Sequence, residues 1–292
     1  MTITLDTKPS IRPASACLAV LLALLTFTSF SHAQDRGDGP LNPAQPTGIS
    51  VDDIIQKFAA REKDFAQARE NYTFRQDVTM NTMDGNTPNG EYKQVVDVTF
   101  DDKGRRRENV VFAPQPSLQG ISMDPEDYED INHRYPFVLT TDEIPVYQIL
   151  YIGQQRLDEI DTYVFDIAPK NLEKGKRYFQ GRIWVDNQDF QIVKSSGKPA
   201  FMKEKRLEGH LFPSFTTYRE QIDGKYWFPT YTHSDEVLHF EPTRNSPGSD
   251  IHLRIKVKYT DYKKFASKSK IIFGGEEIKN EPNQQPPNPP KK

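Results

Sequence analysis

The chain has one cysteine, Cys17, in 292 residues. That excludes an internal disulfide, and with it any paired-cysteine metal centre of the Cys-x-x-Cys type. It also lacks an excess of either charge: 38 Lys and Arg stand against 41 Asp and Glu, a net −3. Nucleic-acid binding usually shows itself as a basic stripe, so no nucleic-acid partner is expected. There is no G-x-S-x-G elbow and no H-E-x-x-H run, which removes two common signatures of hydrolytic chemistry. Gly85 and the pair Gly274-Gly275 lack the strand–glycine–helix setting that cradles phosphate. No catalytic residue, metal ligand or cofactor is expected.

What is present begins with an export pattern. Lys8 and Arg12 precede an apolar run from Ala14 to Phe30, and Ser31-His32-Ala33 offers small residues where signal peptidase reads. Residues 1–33 therefore read as a signal peptide. The run is short for a spanning helix of about 20 residues, so a retained anchor is the lesser reading. Cys17 lies upstream of Leu18 to Leu25, too early for a lipoprotein cleavage site. The cleaved chain, starting at Gln34, then needs no thiol chemistry in an oxidising periplasm. Residues 34–48, rich in Gly, Pro, Asn and Asp, read as a flexible linker, and residues 279–292, with five prolines from Pro282 onward, as a disordered tail. The folded domain is expected over 49–278.

One helix opens that domain. Ser50 and Asp53 form a capping pair, and Ile54, Ile55, Phe58 and Phe65 recur on one helical face. Lys57, Arg61, Glu62 and Asp64 are assigned to the polar face, and the helix should fade near Asn71. The period then changes to two. Tyr72, Phe74, Gln76, Val78 and Met80 alternate with polar residues, and so do Tyr163, Phe165 and Ile167. Ile251 to Tyr259 gives the cleanest alternation. Such a pattern marks strands with one dry and one wet face. Asp84-Gly85, Asp102 to Gly104, Asp186 to Asp189 and Asp223-Gly224 supply the turns. About ten antiparallel strands with one or two helices are expected: a mainly β fold whose curved sheet, a half-open barrel, is closed by helices. Asp124-Pro125 starts the second, short helix.

Several constellations are weighed for chemistry and set aside. His133, His210, His233, His239 and His252 read as solvated, and the stretch near Leu238 as a loop that breaks any shared face. Glu126/Asp127 and Glu129/Asp130 read as the wet face of the short helix. In Arg105-Arg106-Arg107, alternation sends Arg106 opposite to its neighbours; an arginine pointing inward would meet a lid or a lipid headgroup, but the triplet reads first as shielding for a sheet edge. Aromatics on both strand faces, Tyr226-Trp227-Phe228 and Tyr178-Phe179 with Trp184, suggest a second packing layer or an exposed patch.

Order and motif together resemble a known family. A helix ending in an aromatic, then Phe74-x-Gln76-x-Val78, resembles the opening of LolA/LolB-like outer-membrane lipoprotein-sorting proteins. Tyr163 to Lys170, the hairpin Phe179 to Lys194, and Ile222 to Pro229 are similar to segments of that family, and the likeness spans about residues 50–265. The resemblance implies a half-open barrel that holds acyl chains, with no enzyme activity, and a lid-latching arginine for which Arg106 or Arg107 is the candidate. Phe74, Val78, Val98, Phe165 and Ile183 are the expected ligand-facing residues. The partner is then a lipid or a lipidated polypeptide, carried across the periplasm. The alternative is a sensor of the same fold that binds an inner- or outer-membrane protein.

Overall fold

The computed structural model describes residues 38–202, 213–242 and 247–265. The expected signal peptide with Cys17, the proline tail and His210 lie outside the described residues.

Helix α1 (Val51–Arg69) starts where the sequence places it: the Ser50 hydroxyl accepts the Asp53 N–H at 3.1 Å. Asp52 and Asp53 add negative charge to the first turn and Arg69 positive charge to the last, both favourable to the helix dipole. Its buried stripe is Ile54, Phe58, Ala59, Glu62 and Phe65. A second helix, α2 (Pro125–Glu129), carries a full capping box between Asp124 and Asp127 and runs on into a π-helical turn, Asp130–Arg134.

Ten strands among the described residues form one antiparallel sheet. They are β1 (Tyr72–Asp84), β2 (Thr87–Phe100), β3 (Arg106–Phe112), β4 (Tyr147–Leu157), β5 (Ile160–Pro169), β6 (Arg177–Asp186), β7 (Ile192–Phe201), β8 (Phe215–Gln221), β9 (Trp227–Phe240) and β10 (Ser249–Lys264). The order β3-β2-β1-β10-β9-β8-β7-β6-β5-β4 puts β3 and β4 at the two edges. The sheet is open, as expected of a half-barrel. β9 runs unbroken through Leu238, where a loop was expected, because Val237 and Leu238 pair with His252 and Ile251 of β10.

The segment between β3 and β4, together with α1, fills the concave face. Ile54 and Phe58 from α1 meet Tyr135, Phe137 and Leu139 from that segment, over Phe165, Phe179 and Ile183 of the sheet. The Phe58 and Phe165 ring centroids are 5.5 Å apart. Burying side chains of this size contributes about 1.5–3 kcal/mol each.

A second, thin layer covers the opposite face of β4–β7. Leu157, Val164, Trp184 and Val193 form a small buried cluster there. Within the expected linker, residues beside it are hydrogen-bonded to β4: Gly39 N–H donates to the Arg156 carbonyl at 2.7 Å, and Asn42 and Gln154 exchange bonds of 2.8 Å. Lys194, nearly buried, lies over the Trp184 ring and pairs with Asp38 at 2.5 Å.

Candidate binding site

Of the expected ligand-facing residues, the structure brings Phe74 and Arg106 to one cavity and leaves the rest elsewhere. Val78, Phe165 and Ile183 are buried in the cluster that includes Ile54 and Phe58, where α1 occupies the concavity that a wholly empty half-barrel would leave, and Val98 is buried outside that cluster. Arg107 points outward and binds Asp101 at 2.9 Å; Arg105 binds the same carboxylate at 2.8 Å. Arg106 points inward, its Nε donating to Glu108 at 2.7 Å and its Nη2 to Gln76 at 2.5 Å. Arg106 and Arg107 thus alternate as read, whereas Arg105 belongs to the turn before β3 and lines the same cavity as Arg106.

The cavity has a volume of about 280 Å³, at the lower end for small-ligand pockets. It opens where the last turn of α1, the start of β1, the β2–β3 turn, the π-helical turn, β9 and β10 converge. Seven aromatic residues line it, among them Phe65, Tyr72, Phe74, Phe228 and Tyr262. Their packing is local and dense: Phe74 stacks on Tyr262 at 5.2 Å, and Tyr72 meets Phe228 at 4.6 Å. The tyrosine hydroxyls are satisfied within the protein. Tyr72 donates to Asp223, Tyr262 to the Pro229 carbonyl at 2.6 Å, and Tyr259 lies 3.3 Å from the Thr232 hydroxyl. What these residues offer the cavity is therefore ring carbon, with hydroxyls spent elsewhere.

Charge at the cavity has one sign. Arg69, Arg105 and Arg106 line it with His133, and no lining residue is acidic. Burial, then the neighbouring Arg219, pulls the Arg69 guanidinium below its ordinary range. Burial likewise lowers His133, which favours the neutral imidazole. The β2–β3 turn reaches the rim through Gly104, where φ is +69° and a β-carbon would meet the Glu70 carboxylate. That left-handed backbone favours glycine.

Two buried carboxylates correct the sequence reading. Glu62, assigned to the wet face of α1, is fully buried, bound by Arg219 and by the Ile192 N–H at 3.2 Å. Burial pushes its pKa up against the pull of Arg219. Asp127 and Asp130, assigned to a solvated helix face, are also buried. Asp127 is spent on the capping box, and Asp130 pairs with Arg177. Burial raises Asp130 to about 7, with the Arg177 charge opposing. His239 and His252 face Asp250 and Asp235, whereas His133 reaches the cavity, which the sequence reading did not foresee.

No family model and no curated protein matches this chain. Solved structures are similar to it. A DUF1329 family protein from Desulfovibrio piger is 14% identical, with 73% of this chain and 92% of that one covered at a TM-score of 0.35. A LolA superfamily protein from Nitrosomonas europaea is 13% identical, covering 70% and 94% at 0.32. A lipoprotein-sorting domain from Vibrio parahaemolyticus is 10% identical, covering 74% and 95% at 0.32.

Proposed function

We propose that this chain is a non-enzymatic periplasmic binding protein that shields an acyl chain of a lipid or lipidated polypeptide in the aromatic cavity. One observation carries the reading: aromatic rings surround an opening of about 280 Å³ while their hydroxyls turn into the protein. A cavity of that size walled mainly by ring carbon suits a single acyl segment, with Arg69, Arg105, Arg106 and His133 among its other lining residues. Phe74 and Arg106 are the ligand-contacting residues of the sequence reading that this proposal retains. The export pattern of residues 1–33 supports the compartment.

The test is native mass spectrometry of the mature chain purified from cells, followed by displacement of a fluorescent fatty-acyl probe. Co-purified lipid and saturable probe binding are expected. A chain that carries no lipid and binds no acyl probe is not a carrier.

A sensor or interaction role is the second reading, and one feature favours it. Edge strand β3 leaves Val110, Val111 and Phe112 about half exposed, an open template for a partner's strand. A stable complex with a membrane protein, formed without lipid, would put that reading ahead.

A further inference from the structure

Resting on the acyl-binding reading, we infer that the cavity selects an amphiphile with a compact anionic headgroup, carboxylate or phosphate, held by Arg69 and Arg106 at its mouth.

The argument is one of charge accounting. Arg219 lies behind the cavity, its ring neighbour Phe65 forming the wall, and Glu62 neutralises it through two contacts of 3.1 Å. Arg106 spends its Nε on Glu108 and one Nη on Gln76. Arg105 shares Asp101 with Arg107. Arg69 alone among these arginines donates no hydrogen bond to a described residue; Glu62 and the exposed Glu70 act on it only through space. Glu62 is paired with Arg219, so the carboxylate left near Arg69 is the exposed Glu70 beside Gly104, with no described hydrogen bond between the two.

A half-buried guanidinium with open donors, beside aromatic walls and facing no lining carboxylate, is a standing demand for an anion. Its fork suits the two oxygens of a carboxylate or a phosphate. Arg106, 5.7 Å over the Phe74 ring, marks the seam between the charged mouth and the aromatic interior. A ligand that satisfies both has a charged head and an apolar chain. A cationic headgroup meets three lining arginines, with the exposed Glu70 carboxylate beside Gly104 at the rim.

The test titrates the full mature chain with twelve-carbon amphiphiles below their micelle-forming concentrations, read by tryptophan fluorescence and calorimetry. Dodecyl phosphate and dodecanoate should bind at least tenfold tighter than dodecyl maltoside, and dodecyltrimethylammonium more weakly than any of them. The tighter of the first two identifies the headgroup. Inorganic phosphate and acetate, the same heads without chains, should bind far more weakly. Arg69→Gln should erase most of the anionic preference, and Arg69→Lys should restore part of it.

Equal affinity for the phosphate and the maltoside overturns the headgroup inference while leaving the acyl-binding reading intact. Inorganic phosphate binding as tightly as dodecyl phosphate also overturns it, the site then being one for a free anion. If no amphiphile binds, both readings fall. The wild-type comparison decides without any variant having to fold.

Discussion

Arg219 Nη1 stands 3.1 Å from both carboxylate oxygens of Glu62, across 157 residues of sequence, with side chains 1% and 0% exposed. The same guanidinium donates to the Phe137 carbonyl. One ion pair thus ties α1 to β8 and to the segment that fills the concave face. Removing one member leaves the other charged and dry. Glu62→Leu should cost roughly 3–5 kcal/mol of stability, while Glu62→Leu with Arg219→Met should recover much of that loss. Denaturant unfolding of the single and double variants checks it, and a double variant no more stable than the single would count against an uncompensated charge as the cause.

Asp130 should give stability a pH dependence of unusual sign. Its folded pKa, about 7, lies above the ordinary carboxylate value of 3.8. Between those values the folded state holds a proton that the unfolded state has released. Stability from this group is therefore present below pH 4 and is lost as pH rises toward 7, with a slope of at most about 1.4 kcal/mol per unit. Glu62, also raised, acts in the same sense. Asp130→Asn should flatten the decline between pH 4 and 7, as read by unfolding at a series of pH values. An unchanged slope would remove Asp130 as its source.

Gly153 should be irreplaceable for a local reason. It sits at a break in the β4–β5 register with φ +146°. A β-carbon there would lie 2.9 Å from the Asn42 carbonyl carbon and closer still to its oxygen. Gly153→Ala should cost about 1–3 kcal/mol through strain and break the Asn42–Gln154 bridge. Protease should then cut within residues 38–48 faster than in the wild type. Equal cutting rates would show that the bridge does not hold the segment.

The strand alternation, the Ser50 cap and the Asp-Gly turns were readable because each is settled within a few residues. That Arg106 and Arg107 face opposite ways was readable for the same reason, but not which of them points inward. Glu62 shows a different limit. It lies four residues after Phe58 and three before Phe65, so spacing alone puts it on the buried stripe, and only its charge argued otherwise. Its partner comes from the far end of the chain, beyond any local pattern. The cavity was illegible likewise: it forms where the end of α1, the β2–β3 turn and β10 meet, and period two could not show that α1 would cover Phe165 and Ile183 while sparing Phe74.

That division between covered and spared residues yields the last prediction. Phe165 is fully buried, with Phe58 at 5.5 Å and Tyr151 at 5.5 Å around its ring. Phe165→Ala opens a hole in packed interior and should cost roughly 3–5 kcal/mol. Phe74, by contrast, is half-buried and borders the cavity, so part of its ring already faces open space. Phe74→Ala should cost less, on the order of 1–2 kcal/mol, because fewer contacts are lost. Binding should run the other way. Phe74→Ala removes a wall that an acyl chain would touch and should weaken probe affinity several-fold, whereas Phe165→Ala, studied at a temperature where it remains folded, should bind nearly as the wild type does. Thermal unfolding and acyl-probe titration on the same two variants give the comparison. Should Phe165→Ala lose binding while Phe74→Ala keeps it, the ligand lies under α1 in the sheet's concavity and the aromatic cavity at its end is not the site.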